Sequence, residues 1–110
     1  MKHKVSLEEA IEKLKQEKEL PFTMLMKHGT MSIEYFAPIE KDTQQPHLQD
    51  EIYVIASGKS IFFYGGQYVD CKKGDILFVP AGMEHRFENF SADFATWVIF
   101  YGQRGGEKKV

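Results

Sequence analysis

Several absences exclude whole classes of protein. Cys71 is the only cysteine among 110 residues, so no internal disulfide can form and nothing marks an oxidising compartment. A reactive thiol is less expected there than a plain strand residue. No run approaches the roughly 20 apolar residues of a membrane-spanning helix. The opening MKHKVSLEEA carries charges where a signal peptide needs an apolar stretch, so a cytoplasmic location is expected. Surplus positive charge is lacking too. Fourteen basic against 16 acidic residues give a net charge of -2, too little to neutralise a phosphate backbone or an anionic bilayer, so neither nucleic acid nor membrane is an expected partner. There is no glycine-rich phosphate loop and no nucleophile elbow, and Cys71 has no histidine at suggestive spacing; covalent nucleophilic catalysis finds no support.

What is present describes one ordinary globular domain. A chain of 110 residues has too few for two independent cores. Ser6 followed by Glu9 forms a capping box, and Leu7, Ala10, Ile11 and Leu14 recur at helical spacing opposite Glu12, Lys13, Lys15 and Glu17, so a helix is expected over about 7–18, ending before Pro21. From Phe22 the chain changes to short runs of aromatic and β-branched residues, punctuated by glycine, proline or polar pairs. Strands are expected around 22–27, 31–37, 51–57, 60–64, 67–71, 75–79, 84–89 and 94–101. About eight strands of this kind close into an all-β sandwich or barrel. The runs from Glu51 to Ile55 and from Phe94 to Tyr101 are apolar on both strand faces. The helix can cover part of the second face, and a partner in a symmetric homodimer is expected over the rest. Gly105 to Val110 reads as a frayed tail.

The chemistry concentrates in Gln45-Pro46-His47-Leu48-Gln49-Asp50-Glu51. Positions 45, 47, 49 and 51 share parity and would project from one face of an extended chain. A row of polar side chains pointing into a small barrel needs compensation, and a bound cation supplies it. A solvated edge or loop is the plainer reading of the same residues. Tyr53 and Ile55 share the parity of Glu51 and could line the same space, although an aromatic core residue is the commoner role.

The run from Gly74 to Asn89 resembles the second signature of the cupin superfamily, G-x5-P-x-G-x2-H-x3-N, at every specified position: Gly74, Pro80, Gly82, His85 and Asn89. Pro80 and Gly82 suit a tight turn with proline at its second place. The first cupin signature, G-x5-H-x-H-x3,4-E-x6-G, is matched in part, by His47, Glu51 and Gly58, while Ile39 and Gln45 occupy the positions of its leading glycine and first histidine. The resemblance covers about residues 31–101. It implies a jelly-roll β-barrel in which His47, Glu51 and His85 are metal ligands. Gln45 stands where another imidazole is usual and could ligate directly, act through water, or bind substrate instead.

Two imidazoles and a carboxylate with open positions suit Fe(II), Mn(II), Ni(II) or Zn(II), one ion per chain. The resemblance then implies an enzyme acting on a small molecule at that metal, of oxygenase, isomerase or lyase type, with a dioxygenase among the options. A non-catalytic module binding metal or a small molecule is the alternative, since fold does not choose between them. No catalytic residue is assigned. Gln49, Tyr53 and Trp97 are candidates for the substrate pocket, with Trp97 equally suited to a dimer surface.

Overall fold

The computed structural model describes residues 2–108. Among these residues one helix, α1 (Leu7–Gln16), precedes eight strands: β1 (Phe22–His28), β2 (Met31–Phe36), β3 (Asp50–Ser57), β4 (Lys59–Tyr64), β5 (Gln67–Lys72), β6 (Ile76–Val79), β7 (His85–Glu88) and β8 (Ala95–Tyr101). The capping box forms at the start of α1: Ser6 Oγ accepts from the Glu9 amide at 3.1 Å, and Glu9 Oε1 accepts from the Ser6 amide at 3.4 Å. The helix stops at Gln16, two residues short of the expected end. Glu17 leaves helical geometry and its carboxylate accepts a hydrogen bond from the Thr23 hydroxyl at 3.0 Å, which fastens the helix exit to β1.

The strands form two antiparallel sheets, β1-β2-β8-β3-β6 and β5-β4-β7, the jelly-roll arrangement the sequence implied. Strand alternation decides which residues meet between them. From the large sheet come Phe36, Tyr53, Ile55, Val79 and Val98, and from the small sheet Phe62, Cys71 and Phe87, all buried in one cluster. Tyr53 meets Phe62 and Phe87 edge-on, with centroids 5.7 and 4.9 Å apart. Cys71 belongs to this core, and burial pushes its thiol up to about 11, so it is packing material rather than a nucleophile.

The outer face of the large sheet is covered unevenly. Ala10 and Leu14 of α1 pack with Leu25, Tyr35, Ala95 and Trp97 over one end. At the other end the outward residues Ile52 and Val54 of β3 lie opposite Phe78 and Ile76 of β6, and Phe78 and Ile76 are 54% and 69% exposed. Two-sided apolar strands are therefore real, and α1 answers for only part of them.

Gly58 shows why glycine is needed where β3 turns into β4. Its φ is +72°, and a Cβ there would come within 2.8 Å of the Phe94 Cα. The chain after β8 does not fray among the described residues. The Gly105 amide donates to the Leu48 carbonyl at 2.7 Å and the Glu107 amide to Asp50 Oδ2 at 2.9 Å, while Asp50 Oδ1 accepts from the Ala81 amide at 2.9 Å. One buried carboxylate thus joins the terminal strap to the turn before β7. Lys109 and Val110 lie outside the described residues.

Candidate metal centre

The two signature segments meet at one end of the sandwich. Glu51 lies at the start of β3 in the large sheet, His85 opens β7 in the small sheet, and His47 sits in the irregular stretch before β3. The Gly82 amide donates to the His47 carbonyl at 2.8 Å, so the second signature's turn holds the first signature's histidine in place. That turn is closed by the Met83 amide on the Pro80 carbonyl, with Gly82 at φ +81°. Proline therefore opens it rather than taking its second place, and glycine occupies the third place, where positive φ is required. Asn89, the last residue of the signature, is left-handed at φ +48°, a conformation that asparagine tolerates better than most residues.

His47, Glu51 and His85 each offer a ligand atom, and these atoms lie within 4.8 Å of one another. Glu51 Oε1 is 2.9 Å from His47 Nδ1 and 2.8 Å from His85 Nε2. Donors about 2.1 Å from an ion and at right angles to one another lie about 3 Å apart, so the spacing suits neighbouring positions around one ion. Glu51 and His85 are each 1% exposed, and Glu51 Oε2 is buried with no hydrogen-bond partner among the described residues. An unpaired carboxylate oxygen in such a place is expensive unless a cation takes it.

The tautomer of His85 is set by its surroundings. Its Nδ1–H donates to the Met83 carbonyl at 2.8 Å, which leaves Nε2 as the ligating atom. Among the described residues only acceptors stand around Nε2, Glu51 Oε1 and, at 3.1 Å, Gln44 Oε1, so the position calls for a proton or a metal ion. Burial works against charge on both partners. The hydrogen bonds outweigh it: Glu51 and the Met83 carbonyl raise His85 above its ordinary value, and His47 and His85 hold the Glu51 carboxyl below its own.

Gln45, which could ligate directly, act through water or bind substrate, makes no hydrogen bond to the cluster among the described residues. It is exposed and lines the same cavity as His47 and Glu51. The strand parity that grouped residues 45, 47, 49 and 51 begins only at Asp50; the stretch before it is irregular, so alternation does not carry back to Gln45. The neighbouring amide reaches the cluster instead. Gln44 Oε1 lies near His85 Nε2 and accepts from the Tyr53 hydroxyl at 3.0 Å, while Gln44 Nε2 donates to Asp42 Oδ2 at 2.6 Å. Asp42, 5% exposed, also accepts from the Gln44 amide at 3.1 Å and from the Phe87 amide at 2.8 Å. This carboxylate aims the oxygen of Gln44 at the site. Neither Asp42 nor Gln44 carried a sequence signal, because their pairing depends on a loop without periodicity.

Of the pocket candidates, Tyr53 and Gln49 line a cavity of about 830 Å³ together with His47, Glu51, Glu34 and Phe100. Gln49 is committed structurally, its amide donating to the Thr30 carbonyl at 2.9 Å and the Gly102 carbonyl at 2.8 Å. Trp97 is not in the pocket. Val98 and Phe100 of β8 face inward, so alternation turns Trp97 outward, where it meets Tyr35 edge-on at 5.4 Å beneath α1.

Comparison with known proteins agrees with this architecture. A model of the cupin domain matches residues 32–101, and the chain belongs to that family. An uncharacterized protein of Streptomyces coelicolor is 37% identical over 59 residues, 54% of this chain and 56% of the relative, so the match spans about half the relative's length. Among solved structures, plu4264 of Photorhabdus luminescens superposes with a TM-score of 0.67 at 16% identity, covering 94% of this chain and 88% of that one. A Thermotoga maritima protein described as a predicted oxalate decarboxylase gives 0.57 at 23% identity, covering 71% and 76%. Identities this low carry the fold alone.

Proposed function

We propose that the protein is an enzyme acting on a small molecule at one divalent ion held by His47, Glu51 and His85, with Gln44 rather than Gln45 as the fourth protein donor. The observation that carries this is the convergence of acceptor atoms around His85 Nε2 beside the buried, unpartnered Glu51 Oε2, at the edge of a cavity large enough for a substrate. Two imidazoles with carboxylate and amide oxygens suit Fe(II), Mn(II), Ni(II) or Zn(II). Such an ion supplies Lewis acidity and, where it is redox-active, a route to dioxygen. The reaction is of oxygenase, isomerase or lyase type, and the name of the Thermotoga maritima neighbour is compatible with the last. Four protein donors leave two positions on an octahedral ion for exogenous molecules. The Fe(II)-loaded protein should therefore bind nitric oxide, and small bidentate anions should change its spectrum. A spectrum indifferent to both would leave a closed, non-catalytic metal-binding module as the better description.

The apolar outer strip of β3 and β6 supports a symmetric dimer formed through that end of the large sheet. Phe78 and Ile76 are large, exposed and continuous with Ile52 and Val54, and burying such a strip against its own copy is the closed solution for a homo-oligomer.

A further inference from the structure

One carboxylate in the cavity has no task in the site described so far. Glu34 lies on the inward face of β2, with Ser32 and Phe36. It stands opposite Val98 of β8, which stands opposite Tyr53 of β3, so all three share the face that looks into the cavity. With strands about 4.8 Å apart, β2 and β3 are about 10 Å apart across the sheet, a span that a small molecule bound beside Glu51 would cross. The Glu34 carboxylate has no hydrogen-bond or ion-pair partner among the described residues; only burial and the charges of His47 and Glu51 act on it. The other charged groups lining the cavity are accounted for. Asp42 holds Gln44 and the Phe87 amide, Glu51 is shared by two imidazoles, and Glu19 and Lys41 are exposed.

We infer that Glu34 is the second polar anchor of this cavity, and that the molecule bound there carries an ammonium group a few bonds from the atoms that approach the ion. The inference rests on the metal-centre reading above and adds the substrate's class. A half-buried carboxylate facing this open cavity is answered by a hydrogen-bond donor, and a cationic donor adds the charge neutralisation that a neutral one lacks. Burial raises the Glu34 carboxyl above its ordinary value, with Glu51 adding to the rise and only His47 opposing it. A ligand ammonium would relieve that cost. A substrate ending in a second carboxylate would meet repulsion there instead.

Three five-carbon amino acids that differ only at the far end test this. Ornithine ends in an ammonium, norvaline in a methyl group and glutamate in a carboxylate, while all three present the same chelating amino and carboxylate groups. Each is titrated into the Co(II)-loaded protein and followed by its visible spectrum. Ornithine should bind roughly tenfold or more tighter than norvaline, the size of one charge-assisted hydrogen bond, and glutamate should bind more weakly than norvaline. In Glu34→Gln the ornithine advantage should shrink to about twofold or less, with Co(II) affinity unchanged. Equal affinities in the parent protein, an ornithine advantage that survives in Glu34→Gln, or a bound Co(II) spectrum that none of the three alters would each overturn the inference. Failure to bind Co(II) at all would be seen before any amino acid is added and would remove the metal centre itself, and the inference with it.

Discussion

Replacing Asp42 by alanine should injure fold and metal site together. Its carboxylate accepts from the Phe87 amide at 2.8 Å and from both nitrogens of Gln44, at 2.6 and 3.1 Å. Truncation leaves the Phe87 amide without its acceptor beside a residue 1% exposed, a loss of about 1–3 kcal/mol. Losing the charge-assisted bonds to Gln44 adds about 1.5 kcal/mol, giving about 2.5–4.5 kcal/mol in all. At about 4 °C per kcal/mol for a domain of this size, the melting temperature should fall by about 10 °C or more. Calorimetry on the metal-free protein measures that fall. Gln44 would also lose its orientation, and removing such an outer support lowers metal affinity by about 10–100-fold, which competition with a chromophoric chelator would read. A melting temperature within about 2 °C of the parent, together with unchanged metal affinity, would refute the reasoning.

Gln44→Ala should weaken metal binding while Gln45→Ala leaves it unchanged, both read by the same competition; the reverse order would restore Gln45 as the donor. The metal-free protein should be most stable between about pH 4.5 and 6.5. The raised His85 contributes fully below its ordinary 6.5 and loses its contribution as pH rises through the folded value. The lowered Glu51 contributes above its ordinary 4.5 and loses its contribution as pH falls through the folded value. Melting curves of chelator-treated protein across pH 4–9 check this, and a steady gain from pH 6.5 to 8 would contradict it. Phe78→Glu should yield a monomer at tens of micromolar in sedimentation, with the metal content of the parent retained; an unchanged sedimentation coefficient would place any dimer contact elsewhere.

The strands were legible in the sequence because each is a short aromatic and β-branched run closed by a turn residue, and β1 to β8 fall within a residue or so of their expected limits. His85 was legible for a related reason: Pro80, Gly82 and Asn89 record backbone demands that few residues meet. Legibility fails where the chain is irregular. Alternation was extended across Gln45 to Gln49, but regular pairing starts only at Asp50, so parity did not tell which side chain of residues 44 and 45 turns toward the cluster. Trp97 was ambiguous because β8 is apolar on both faces, and only α1 packing over Tyr35 decides its direction. The terminal glycines looked frayed because their ties run through backbone amides to Leu48 and Asp50, which leave no side-chain signal.

The central claim is a single divalent ion on His47, Glu51 and His85. Elemental analysis of protein purified without added metal or a nickel column addresses it most directly, in the parent and in His85→Ala. The account predicts about one ion per chain in the parent and almost none in the variant, since losing one of few protein ligands sharply weakens a site. Full occupancy in His85→Ala would contradict it.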